Sequence, residues 1–98
     1  MVGRRFAENA VSLRRRSELS QAEAAERSGL HRTEISLLER ALRLPQLDTI
    51  IQLAGAVEVE PCDLLDGMAW NVNRGRLHGS GAPPGSFEVR VGSRWVEA

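Results

Sequence analysis

All thirteen basic side chains of this 98-residue chain are arginine. The guanidinium is permanently charged, and its planar fork forms paired hydrogen bonds to phosphate or to the O6/N7 edge of guanine. That is anion and base recognition rather than proton transfer. Residues suited to covalent or metal chemistry are few: two histidines, His31 and His78, and one cysteine, Cys62, with no metal-ligand cluster and no phosphate-cradling glycine loop in the sequence. Neither an enzyme nor a cofactor is expected. The formal net charge of zero conceals an asymmetry, because residues 1–45 hold nine arginines against six acids and residues 46–98 hold four against seven, or +3 and −3. The basic half is therefore where an anionic partner would bind, although codon composition alone also enriches arginine.

Two short helices hinged at Gly29 carry the polar and basic groups of that half. Ser20 and Glu23 have capping-box spacing, so the first of these helices starts at Gln21, where free amides and the helix dipole attract phosphate. Ala22 and Ala25 are expected to share its buried face, and Gly29 to end it in the left-handed region. The second runs from His31 or Arg32 to Arg40, with Ile35 and Leu38 inward and Arg32, Thr33, Ser36 and Leu37 over the remaining surface. Helix, glycine turn and helix form a helix-turn-helix pattern. Ahead of it, Phe6, Ala10, Leu13 and Ser17 recur at helical spacing and predict a helix from Arg4 to about Glu18. Its last turn carries Arg14, Arg15 and Arg16, which also suit the negative end of the helix dipole.

The stretch Ser20-Gln21, the small-residue helix, Ser28-Gly29, Ile35-Ser36 and Leu38-Glu39 resembles the Cro and phage-repressor type (XRE) helix-turn-helix family. The resemblance extends over roughly residues 4–67. Pro45, the apolar set Leu47, Ile50, Ile51, Leu53, Ala54 and Val57, and the segment from Val59 to Leu65 look like the fourth and fifth helices of that domain. It implies a mainly α fold: a five-helix lambda-repressor-like DNA-binding domain over 1–67, followed by a small C-terminal β appendage over 68–98.

By that resemblance, Arg32 and Thr33 occupy the first two base-reading positions, with Ser36 and Leu37 one turn on. Ser20, Gln21, His31, Arg40 and Arg43 are the phosphate-binding candidates; His31 is also read as the cap of its helix. Glu34 could accept from cytosine N4 or repel phosphate. Arg14 and Glu39 match an ion pair that ties the first helix to the recognition helix. Two departures stand out. Ala41 and Leu42 replace glycine and a polar residue after the recognition helix, so that end is expected to extend or cap differently, because alanine adopts positive φ only at a cost. Leu42 and Leu44 either pack on the domain or meet another protein. Glu60 replaces the serine-like cap before Pro61, with Leu64 and Leu65 expected to point inward.

After Gly67 the texture changes. Ala69–Val72, Phe87–Val91 and Arg94–Val96 alternate as strands, and Gly92-Ser93 suits a two-residue hairpin loop of type II′. Gly79–Ser86 reads as a loop, and Arg74 and Arg76 as a solvated turn or a contact to DNA flanks. Trp70, Phe87, Val89 and Trp95 form either a core or a dimer interface, since an isolated hairpin is marginal in water. A single cysteine permits no internal disulfide, and no signal peptide or membrane span is indicated. A cytoplasmic address follows as the expectation. The reading is a sequence-specific regulator that binds double-stranded DNA as a homodimer. Its alternative is an antitoxin or restriction-modification control protein of the same fold, with a protein partner on the C-terminal strands.

Overall fold

The structure, a computed structural model, describes residues 2–72 and 84–98. Arg74, Arg76, His78 and residues 79–83 of the expected Gly79–Ser86 loop lie outside the described residues, while Gly85 and Ser86, expected in that loop, belong instead to a strand. The elements are α1 (Val2–Arg16), α2 (Gln21–Ser28), α3 (Arg32–Glu39), α4 (Leu47–Ala56), α5 (Pro61–Leu64), β1 (Met68–Val72), β2 (Gly85–Val91) and β3 (Arg94–Glu97). The chain is mainly helical with a small C-terminal antiparallel sheet. A helical unit spans Gly3–Asp66, and a second unit holds the strands from Gly67 onward.

Local signals set most helix ends. Ser20 Oγ accepts from the Glu23 amide at 3.0 Å while Glu23 Oε1 accepts from the Ser20 amide at 2.9 Å, a complete capping box at the start of α2. Gly29, at φ +77°, closes α2 through its own N–H to the Ala25 carbonyl. At α5, Asp63 reaches back to the Glu60 amide at 3.0 Å, so the missing serine is offset by an acid three residues on.

The end of α3 shows how the alanine departure is accommodated. Ala41 adopts φ +59°. The Leu42 amide donates to the Leu37 carbonyl at 2.9 Å and the Ala41 amide to Leu38 at 3.1 Å, a Schellman motif with alanine in the glycine position. α3 neither extends nor changes its cap. Glu18 and Glu58, at φ +59° and +58°, end α1 and α4 with the same pair of bonds.

The helical core is built from Phe6, Ala7, Ala10 and Leu13 of α1, Ala24 and Ala25 of α2, Ile35 and Leu38 of α3, Leu53, Ala54 and Val57 around α4, and Leu64. Ile35, 1% exposed, alone contributes about 2–3 kcal/mol by burial. Two expectations are corrected. Ala22 is exposed, and Ala24 takes its place beside Ala25 because the inward face of α2 is rotated by about a quarter of a turn. Leu65 is exposed, since α5 ends at Leu64. Leu47 and Ile51 are 76% and 54% exposed: they lie one turn apart on the outer face of α4, opposite Thr49, Leu53 and Ala56. Leu42 and Leu44 are also exposed, although Leu44 lies close over Gly3, where an added Cβ would come within 3.0 Å of Leu44 Cδ2.

The sheet has the order β1-β2-β3. Registers Met68↔Val89, Trp70↔Phe87 and Val89↔Val96 put Met68, Trp70, Val72, Phe87, Val89, Val91 and Val96 on one face. Asn71, Glu88, Arg90, Trp95 and Glu97 occupy the other. The Val91↔Arg94 pair closes a two-residue loop in which only Gly92, at φ +64°, is left-handed, as a type II′ turn requires.

Candidate nucleic-acid interface

The helix-turn-helix is locked by one buried carboxylate. Glu39, at the C-terminus of α3, accepts from Arg14 Nε at 2.7 Å and from Arg14 Nη2 at 2.9 Å. Gln21 Nε2, at the head of α2, donates to the same carboxylate at 3.0 Å, and Arg14 Nη1 donates to the Leu19 carbonyl at 2.8 Å. The arginine and glutamate side chains are 12% and 6% exposed. The bidentate hydrogen bond to Glu39 raises the Arg14 pKa against the opposing effect of burial, so this cation stays charged at any accessible pH. Glu39 thus joins α1, the start of α2 and the end of α3.

That lock leaves the N-terminal turn of α3 presented outward. Arg32 and Thr33 are exposed, and Ser36 is half-buried one turn on. Together with Gln21 they line an open depression of about 240 Å³. Arginine, threonine, serine and glutamine side by side form a surface rich in donors with three acceptor groups, suited to base edges and phosphate oxygens. Leu37 is half-buried and does not line this depression.

The remaining candidates flank the depression. His31 caps α3, its Nδ1 accepting from the Thr33 amide at 3.1 Å. That bond requires Nδ1 to be unprotonated and puts the ring N–H at Nε2, a tautomer assigned from the bonding. Ser20 commits its hydroxyl oxygen to the Glu23 amide in the capping box. Gln21 commits one N–H to Glu39, leaving the other N–H and its carbonyl oxygen. Arg40 Nε donates to the Ser36 carbonyl at 3.3 Å, and Arg43 lies exposed in the segment before α4.

Two features escape a residue-by-residue reading of the sequence. One is the Gln21–Glu39 bond, for which no local pattern gives a signal. The other is a cleft of about 640 Å³ along α1, where Arg4 and Arg15 meet Arg40 beside Glu8 and Glu39 over Ala7 and Val11. Its signal was present: Arg4, Glu8, Val11 and Arg15 stand at i, i+4, i+7 and i+11, a single helical stripe. Three arginines in one cleft extend the basic surface from the end of α3 along α1. No helix among the described residues is long and apolar enough to cross a membrane.

Comparison with known proteins agrees with this geometry. A helix-turn-helix family model matches residues 12–64. The chain is 48% identical over 60 residues to the control protein C.SmaI of Serratia marcescens, covering 61% of this chain and 71% of that one. It is 45% identical over 51 residues to the control protein C.BamHI of Bacillus amyloliquefaciens, covering 52% and 63%. Among solved structures it is similar to the restriction-modification controller protein C.AhdI of Aeromonas hydrophila, with a TM-score of 0.62, 35% identity, and 63% and 94% of the two chains covered. With a family model over more than half its length, and with two short helices joined at Gly29, the chain belongs to the helix-turn-helix family of DNA-binding regulators, of the Cro and phage-repressor type.

Proposed function

We propose that the chain is a sequence-specific regulator of transcription of the restriction-modification control kind, acting as a homodimer with α3 in the major groove. The observation that carries this reading is the exposed opening turn of α3, where Arg32, Thr33 and Ser36 stand beside Gln21 on a base held by the buried Glu39. In this reading Arg32 and Thr33 read bases, Ser36 and Leu37 add contacts one turn on, and Ser20, Gln21, His31, Arg40 and Arg43 hold phosphates. Two copies read half-sites about 34 Å apart, one turn of the duplex. The control-protein assignment is supported by the similarity to C.SmaI, C.BamHI and C.AhdI.

The test is fluorescence anisotropy on duplexes selected from a random pool. Arg32→Ala is expected to abolish preference at one base position of each half-site, at about 1–3 kcal/mol, while most nonspecific affinity survives. Gln21→Ala and Arg43→Ala are expected to weaken every duplex alike, and Arg43→Ala, which removes a positive charge, to flatten the salt dependence. A uniform loss on Arg32→Ala removes its reading role. A genome-wide map tests the regulatory assignment: the occupied sites are expected upstream of the chain's own gene beside a restriction enzyme gene, and sites only elsewhere would leave a general regulator.

A further inference from the structure

The sheet has one apolar face and one polar face, and the apolar face is uncovered within its unit. Trp70, Val72, Phe87 and Val91 are 50%, 50%, 53% and 57% exposed, with Val96 at 36%. Two of its aromatic side chains, Trp70 and Phe87, pack on the sheet and on each other. Trp70 lies against Gly85, where an added Cβ would come within 2.8 Å of its ring and 2.4 Å of the Asn71 carbonyl oxygen. Its ring meets Phe87 edge to face, with centroids 5.0 Å apart at 74°. Trp95, by contrast, projects from the polar face, where Arg90 lies 5.8 Å from its ring centroid.

From these observations we infer that the apolar sheet face is a self-association surface, on which two copies of the chain stack their sheets face to face. Charge argues for this occupant. Among the described residues the face carries no acid and one cation, Arg94 at its edge, so a nucleic acid finds no cationic track there. The described sheet balances Arg90 and Arg94 against Glu88 and Glu97, so two copies do not repel. Shape argues for it too. A two-fold axis running along β2 sets β1 of each copy over β3 of the other, and the bulky Trp70 edge then meets the slighter Val96 edge twice. The exposed side chains present roughly 400–500 Å² per copy. Covering both faces buries roughly 1,000 Å² with the rim, the size at which a specific interface becomes credible. The inference rests on the homodimer proposed above and not on its DNA contacts.

The experiment uses the full chain. Sedimentation velocity across concentration is expected to give a dimer for the natural sequence and for Glu97→Lys on the opposite face. Val72→Lys and Val91→Lys are each expected to raise the dimer dissociation constant at least ten-fold, with far-ultraviolet circular dichroism unchanged. In a Trp95→Phe background, Trp70 emission is expected to move to longer wavelength on dilution, in step with dissociation. A natural chain that is monomeric at all concentrations overturns both the interface and the homodimer. A dimer that survives both lysine variants overturns the interface alone and moves dimerisation to another surface, such as Leu47 and Ile51 of α4. Short-wavelength Trp70 emission independent of concentration means the chain covers its own sheet, and likewise overturns the proposal. Half-site binding by the lysine variants reads the DNA contacts separately.

Discussion

Removing Glu39 tests the lock on which the proposed recognition surface depends. In Glu39→Ala the Arg14 guanidinium keeps its bond to the Leu19 carbonyl but loses both bonds to carboxylate oxygens, in a site that leaves its side chain 12% exposed. Breaking one partner of a buried ion pair costs about 3–5 kcal/mol, whereas exposed pairs are worth about 0.2–1 kcal/mol. The surviving carbonyl contact places the expected loss near the lower end, about 3 kcal/mol. For a domain of this size that lowers Tm by roughly 12–24 °C. Urea denaturation followed by circular dichroism at 222 nm measures the loss, and a double-mutant cycle assigns it. Arg14→Met with Glu39→Leu removes both charges at similar volume and is expected to recover most of the stability, because the cost lies in the stranded cation rather than in the absence of the pair. A loss below about 1 kcal/mol for Glu39→Ala, or a double variant as unstable as the sum of its parts, would refute the argument from burial.

Three further outcomes follow from local geometry. Ala41→Gly is expected to stabilise the domain by about 0.5–1 kcal/mol, since glycine relieves the left-handed strain at φ +59° while losing some chain entropy; thermal melts showing no gain would count against strain at that cap. Hydrogen bonds from the Ser20 amide and hydroxyl region hold the Glu23 pKa below its ordinary value. Its contribution is therefore full above the unfolded pKa of about 4.3 and is lost as pH falls through the lower native value. The stability gap between the natural chain and Glu23→Ala should be constant from neutral pH to about pH 5 and shrink below that, and a gap unchanged at pH 3 would exclude the capping role of the charge. Gly85→Ala is expected to push Trp70 off the sheet and to diminish the near-ultraviolet dichroism of the Trp70–Phe87 pair, leaving the helical signal intact.

Much of the frame was legible because its determinants are local. Ser20 with Glu23, Gly29 at the end of α2, Pro61 at the start of α5 and Gly92-Ser93 in the hairpin each act within about four residues, so their spacing carries their meaning. The apolar stripe of α1 and the inward Ile35 and Leu38 follow from helical period alone. Local rules misread two places. Ala41 adopts the left-handed conformation despite its Cβ, because the two Schellman bonds and the surrounding helices outweigh a strain of about 1–2 kcal/mol. Ala22 could not be told from Ala24 by composition, since which face of a short alanine-rich helix turns inward depends on the neighbours it meets.

The sequence by itself determined which helices and strands form and in what order, with α1 and the strands placed to within about two residues at their ends, that two of the helices form a helix-turn-helix, and that the basic residues gather in the first half. Only tertiary structure decided which groups act together. Glu39 and Gln21 are eighteen residues apart, and Arg4 and Arg40 belong to different helices; their meeting depends on how the helices pack. The same holds for the outward turn of Leu47 and Ile51 and for Trp70 lying against Gly85. Hydrogen-bonded turns and caps are encoded by residues within a few positions of one another, whereas side-chain convergence depends on the packing of elements distant in the chain, which no local spacing records.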